Sequence, residues 1–494
     1  MLDVVKLLSA PPPWESHGSD VKLPDRFAGL LADQAAKAKA FFVATGPVEP
    51  SAGLTKAPLP GWNVEESLLP VKLRLLRATT LAEVQTAVDE AIASDRPQRL
   101  VITGTVFWDR SLRVERANQL ELDLSGLRVD VGVFNQPVIL IFAARKVAVR
   151  GLRVTQVHPV AIDIVASQDV TVSAAVLSGA FQSAIRVSGG SKRVLIDRSL
   201  FVRNAGFAIK VAGEVENVVI LHSQFDGPTA MSFIHLVQAT VALGYAALHP
   251  DKAGRDALTH SHPTTIRILE NRFGRTDAVA ILAEGTRGVW VERNDFNGAA
   301  GGAVCSIAHA AGLMVADNRI APLAKTQAPL VAINDTAFFC IFRNIFEPIS
   351  QESIRVSGQF GGGLIAANTL LCPKADIIVD ANGLPKPDST PDAGVVLNPG
   401  AAADGAFLAT TLMLNTVRGA FTVGFDILAA VPRLFLFDNH FFGMTGWSLK
   451  SAVAQPMLTS LNNWSREKSL NMPLAEVPME TARTVWAAQE IDED

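Results

Sequence analysis

The pattern apolar-x-apolar-x-x-Asn-x-Phe recurs along most of this 494-residue chain, and it limits the available folds more than any other feature. IRILENRF ends in Asn271 and Phe273, VWVERNDF in Asn294 and Phe296, LMVADNRI in Asn318 and Ile320, and FCIFRNIF in Asn344 and Phe346. Asn368, Asn415 and Asn439 hold the same slot in LIAANTL, LMLNTV and FLFDNHF, and Ser199 and Ser223 hold it in VLIDRSLF and VVILHSQF. From Ser199 onward the intervals are 24, 48, 23, 24, 26, 24, 47 and 24 residues, so the unit is about 24 and two intervals are doubled.

Each unit carries a second apolar-alternating segment upstream of the first: AIDIV, AIRVS, AIKVA, FIHLV, AVAIL, AVCSI and SIRVS. Two or three short strands per unit, with no helix between them, match a stacked parallel β-helix. Stacking places the Asn at one corner of every rung, where its amide bonds backbone and the amides above and below, as in other stacked parallel strands. The Phe two residues on is expected to form an aromatic column inside the core. Both columns read as structural.

The entry segment TTLAEVQTAVDEAIASDRPQRLVITGTVFW puts a capping box, Thr80 and Glu83, ahead of an amphipathic helix that leads into the first strands. With the Asn repeat, this segment resembles the pectate-lyase-like superfamily of right-handed parallel β-helix proteins over residues 98–445. The resemblance implies an all-β solenoid with one strand layer per turn, closed at its N-terminal end by the helix, since an uncovered rung is an exposed sheet edge. The ends differ from the repeat: residues 1–77, Pro-rich with one helical stretch, DRFAGLLADQAAKAKAFF, read as an extension ahead of the capping helix at 78–97, and residues 446–494 read as a C-terminal cap or tail after the solenoid at 98–445. The superfamily includes lyases, hydrolases, epimerases, fructotransferases, adhesins and tailspikes, so fold alone does not choose among them. The Asn-Thr-Asp, Gly-His-Gly and Arg-Ile-Lys set of polygalacturonases and the Arg-x-Pro-x-x-Arg of pectate lyases are missing.

Composition narrows the partners. At 49% hydrophobic and 19% charged, the chain has ample material for a core, and a formal net charge of −4 gives no basic footprint for nucleic acid. Cys305, Cys340 and Cys372 form no CxxC pair and read as reduced. The N-terminus lacks the pattern of a secretory signal, and no window of about 18 apolar residues reads as a membrane span.

Candidate chemistry comes from aligning the upstream strands. Inward pairs Ile162/Ile164, Ile185/Val187, Ile209/Val211 and Ile234/Leu236 leave Asp163, Arg186, Lys210 and His235 pointing outward. At about 4.8 Å per strand these four form a row about 14 Å long. Later turns place Ala280 and Cys305 at the expected equivalent positions before Arg355 restores a cation. Adjacent like charges at Arg186 and Lys210 call for an anion, and Arg grips a carboxylate bidentately. The plain alternative is a solvated face with an Asp163–Arg186 cross-strand pair.

Beside His235 the first doubled interval holds GYAALHPDKAGRDALTHSH. Either it contains a degenerate rung, VQATVAL with Ala247 in the slot, or residues 239–263 leave the solenoid as a loop; the missing Asn-x-Phe and the breakers Pro250, Gly254 and Pro263 favour the loop. It carries Tyr245, His249, Arg255, His260 and His262. The His-x-His pair lacks a clear third ligand, so no metal and no cofactor is expected.

The expected function is therefore action on an acidic, uronate-containing polysaccharide by β-elimination or C5 epimerisation. His235, Tyr245, Lys210 and Asp163 are the catalytic candidates, and Arg186, His249, Arg255, Trp290 and Arg355 the substrate-binding ones. Two alternatives stay open: a non-catalytic glycan-binding or structural solenoid, as in a homotrimeric tail component or adhesin, and a glycoside hydrolase with a carboxylate pair in the same groove.

Overall fold

The computed structural model describes residues 72–471 apart from 95, 133–134, 228–230, 239–261, 300, 308–309, 322–327, 349–351, 361, 373–392, 401–408, 445, 456, 462 and 466–469. The helical stretch read in 1–77 lies outside the described residues. Those described form a parallel β-solenoid of about 13 turns of about 24 residues. They divide into two compact units, within 54–290 and within 291–494.

The first unit opens with strand Lys72–Thr80, six residues inside the expected extension, paired in parallel with Gln98–Trp108. Between them runs the helix Leu81–Ile92. Thr80 is extended and its hydroxyl accepts the Glu83 N–H at 3.3 Å, while the Glu83 carboxylate accepts the Thr79 and Thr80 N–H groups at 2.7 and 3.2 Å. These backbone bonds hold the Glu83 carboxyl below its ordinary range. Leu81, Val84, Ala87, Val88 and Ala91 make the buried stripe laid on the first strands.

Each complete rung then has three strands on three faces. Ala180–Ser188 lies on the first face, Lys192–Asp197 on the second and Leu200–Val202 on the third, and the next rung repeats them as Phe207–Ala212, Glu216–Leu221 and Gln224–Asp226. Register is kept across rungs by Arg186 opposite Lys210, Ile196 opposite Ile220 and Phe201 opposite Phe225. The corner between second and third faces is turned by one left-handed residue just before the Asn slot: Arg198 at φ 47°, His222 at 49° and Glu270 at 54°. The slot residue then satisfies the backbone that this turn strands. The Ser223 N–H reaches Asn271 Oδ1 at 2.8 Å, and Asn271 Nδ2 donates to the Ile220 and Leu269 carbonyls. Behind it Phe201, Phe225 and Phe273 stack with centroids 4.9 and 4.8 Å apart.

The first doubled interval holds no intervening rung in the ladders. Glu216–Leu221 pairs directly with Thr264–Leu269, Gln224–Asp226 with Arg272–Phe273, and Ile234–Val237 with Ile281–Glu284. The last pairing also corrects the expected alignment: Leu282, not Ala280, stands opposite His235, and Ala280 is fully buried.

In the second unit the ladder is complete. Asn294, Asn318, Asn344, Asn368, Asn415, Asn439 and Asn463 are all buried, and each of the first six passes its backbone N–H and its Nδ2 to the Oδ1 of the next at 2.8–3.1 Å. Asn368 bonds Asn415 directly across the second doubled interval. The repeat also continues beyond its expected end at 445, through Trp447–Ser451, Leu458–Leu461, Trp464–Ser465 and Leu470–Asn471. Asn463 in LNNW had no Phe after it to mark the rung.

Candidate functional site

The first face of the first unit carries the row in one register line: Leu140, Asp163, Arg186, Lys210, His235 and Leu282. Alternation on each short strand turns the flanking Ile and Val residues into the core, so the middle residue stands outward. Leucines bound the four polar residues at both ends.

The four do not act as one cluster. Arg186 grips Asp163 bidentately, Nε to Oδ1 at 2.8 Å and Nη2 to Oδ2, and the Asp163 side chain is only 5% exposed. Hydrogen bonding to Asp163 raises the guanidinium above its ordinary pKa, against the effect of burial. The expectation of two adjacent unneutralised cations is thereby revised: Asp163 neutralises Arg186, and of the row's two cations Lys210 is the one with no acid partner among the described residues.

Lys210 and His235 share a platform, Phe207. The ammonium lies 5.6 Å from the ring centroid, and the imidazole packs on the ring at 4.5 Å, tilted by 36°. His235 Nε2 meets Glu284 Oε2 at 2.8 Å, and its Nδ1 is buried with no hydrogen-bond partner among the described residues. Side-chain exposure is 11% for His235 and 28% for Glu284, so the carboxylate is the more accessible member of the pair. Glu284 stands opposite Val237 at the strand edge. The chain leaves that edge at Gln238, whose N–H bonds the Glu284 carbonyl, and residues 239–261 follow.

Phe207 and the pairing of Glu284 with His235 escape the sequence for separate reasons; by its position after a later strand Glu284 reads there as a solvated turn residue. Phe207 reads as one more apolar residue at a strand start. Glu284 is 49 residues from His235, and only removal of the doubled interval brings it to the neighbouring strand.

The other candidates are placed differently. Tyr245, His249, Arg255 and His260 lie outside the described residues; His262 is half-buried just before Pro263. Trp290 is 7% exposed, because Arg267 covers it with its guanidinium 4.6 Å from the ring centroid, so it presents no open platform. Arg355 belongs to the second unit, between Ala332 and Val396, and is clamped by Glu352 with Nε to Oε2 at 2.5 Å. Among the described residues no group of three or more His, Cys, Asp or Glu side chains is arranged to hold a metal ion, and no helix is long and apolar enough to cross a membrane.

No protein-family model matches the chain, and no curated protein matches it. Solved structures do. The Azotobacter vinelandii mannuronan C-5 epimerase AlgE6 A-module is 12% identical, covering 78% of this chain and 95% of its own, with a TM-score of 0.39. The Streptococcus pneumoniae surface protein and adhesin PfbA is 13% identical, covering 75% and 95%, with a TM-score of 0.43. A mannuronic acid specific polysaccharide family 6 lyase from human gut microbiota is 12% identical, covering 81% and 83%, with a TM-score of 0.37. The chain is a β-solenoid like these, and its activity has to be argued from its own residues.

Proposed function

We propose that the first face binds an acidic polysaccharide and that the Phe207–Lys210–His235–Glu284 group carries out β-elimination or C5 epimerisation on it. The observation that carries this reading is a lone cation beside a carboxylate–imidazole pair on one aromatic platform. Lys210 meets the uronate carboxylate and, as negative charge moves into it, stabilises the enolate-like state. Glu284, the more exposed partner, takes the C5 proton, and His235 holds it in place through Nε2. In elimination the C4–C5 double bond forms as the C4–O bond breaks, the leaving oxygen takes up a proton from water, and Glu284 releases the C5 proton to solvent. In epimerisation water delivers a proton to the opposite face of C5, and Glu284 releases to solvent the one it took.

Because Asp163 is buried and held by Arg186, this pair supports the row as a rigid element, and a hydrolytic carboxylate pair has less to recommend it here. A second reading, binding without turnover, draws on the enclosure of His235 Nδ1, which removes that nitrogen from any contact with a sugar.

The test is incubation of the full chain with homopolymers of mannuronate, guluronate, galacturonate and glucuronate. Ultraviolet absorbance reports unsaturated ends and NMR reports C5 inversion. Turnover on one polymer, lowered about 100-fold or more in Lys210→Ala and Glu284→Gln, supports the enzyme. Binding that is lost in Lys210→Ala with no turnover supports the second reading, and neither binding nor turnover refutes both.

A further inference from the structure

The first unit has a second charged feature, on the other side of its rungs from the row. At the corner between second and third faces, a recess of about 300 Å³ is lined by Arg99, Asp123, Ser125, Arg150, Gly151 and Arg153. That volume is at the lower end of small-molecule sites, about 300–1,000 Å³. The strands bring the residues together: Asp123 stands opposite Arg150, Arg99 is on the strand before, and Arg153 begins the third face.

Among the described residues the one acid lining the recess, Asp123, is already committed. Asp123 Oδ1 accepts the Ser125 hydroxyl at 2.5 Å and the Ser125 N–H at 3.2 Å, and Oδ2 accepts Arg99 at 3.1 Å. Burial works against its ionisation, but the Ser125 bonds and then Arg99 outweigh it and hold the carboxyl below its ordinary range. Arg99 is further engaged by Glu121 at 3.4 Å. Arg150 and Arg153 have no acidic partner among the described residues, and both are exposed. Gly151 lets the chain turn between them: its φ is 71°, and a Cβ there meets Ser125 atoms at 2.6–2.9 Å. Two like charges thus border one small space at a corner that accepts no side chain, an arrangement that a bound anion relieves.

We infer that this recess is a binding site for a small oxyanion-bearing molecule, gripped by Arg150 and Arg153 against the Arg99–Asp123–Ser125 wall. A sugar carboxylate or sulfate ester and free inorganic phosphate share this chemistry. The site does not depend on the activity proposed for the first face.

Isothermal titration of the full chain at low salt, with glucuronate, glucose 6-sulfate, inorganic phosphate and glucose, tests it. The oxyanions bind, glucose does not, and added salt weakens binding. Tighter binding of the sugar acid or sulfate than of phosphate identifies a glycan unit as ligand, and the reverse order identifies free phosphate; each supports the site. Arg150→Gln with Arg153→Gln weakens binding at least tenfold, whereas Arg203→Ala, an exposed arginine elsewhere on the unit, leaves it unchanged. Arg150 and Arg153 are both on the surface, so the double variant keeps the circular dichroism of the parent. Absence of binding by all three anions, or equal binding to the double variant, overturns the inference.

Discussion

Replacement of Asn344 isolates what one link of the ladder contributes. Asn344 is fully buried, and its Oδ1 accepts both the backbone N–H and the Nδ2 of Asn318 at 2.9 Å. Its own Nδ2 donates to the Val315 and Phe342 carbonyls and to Asn368 Oδ1 at 2.9–3.1 Å. Asn344→Ala strands two buried donors of Asn318 at about 1–3 kcal/mol each, so the expected loss is about 4 kcal/mol. Asn344→Ser is the informative comparison, because the slot already takes serine elsewhere. The Ala175 N–H reaches Ser199 Oγ at 3.3 Å and the Ser199 N–H reaches Ser223 Oγ at 3.1 Å. A serine at 344 therefore recaptures the Asn318 backbone N–H and leaves one donor stranded, at about 2 kcal/mol. Urea denaturation measures both losses, and hydrogen-exchange mass spectrometry of the peptide containing Asn318 should show its amide unprotected in the alanine variant and largely protected in the serine one. A loss below about 1 kcal/mol for alanine, or equal losses for the two, refutes the hydrogen-bond account.

Three further outcomes follow from the geometry. Phe225→Ala, which empties the middle of the Phe201–Phe225–Phe273 stack, should cost about 3–5 kcal/mol in urea, and a loss below about 1 kcal/mol would mean the column collapses to fill the space. Arg186→Met leaves the Asp163 carboxylate buried alone and should cost about 3 kcal/mol or more, most of it recovered in Arg186→Met/Asp163→Leu; no recovery in the double variant contradicts the pairing. Burial holds the imidazole of His158 below its ordinary pKa despite its bond to the Gln156 carbonyl. The unfolded chain then binds more protons than the native one as pH falls through the ordinary histidine range of about 6.5, so stability declines there and His158→Gln should flatten that part of the thermal-melting profile.

The solenoid was legible because its signals are local and repeat. The Asn or Ser slot, the Phe after it and the short upstream strand recur at the rung period, and the pairings Asp163–Arg186, Arg186–Lys210 and Lys210–His235 fall where that period puts them. The repeat was lost where its marks weaken: Asn463 has no following Phe, and strand Lys72–Thr80 precedes the capping helix instead of following it. The site was only half legible, because period gives position and not partnership. Alternation placed Arg186 and Lys210 side by side, but a carboxylate reaching across one strand decides which of them is neutralised. In the same way the doubled interval separated Glu284 from His235 by 49 residues, though the folded chain joins them. Trp290 was misread because alternation shows which way a ring points and says nothing of an Arg267 lying over it.

The asparagine column of the second unit also has a direction. From Asn294 to Asn439 each side-chain amide donates an N–H to the following rung, and from Asn318 to Asn463 each accepts at its oxygen from the preceding one. Seven parallel amide dipoles add head to tail, as peptide dipoles do along an α-helix. The stack accordingly has a positive pole at Asn463, whose own Nδ2 is quenched by the Leu436 carbonyl and the Ser460 hydroxyl, and a negative pole at Asn294. Each rung added to such a solenoid lengthens an oriented electrical axis through its core, so the two ends of the column are chemically unlike even where their sequences are the same.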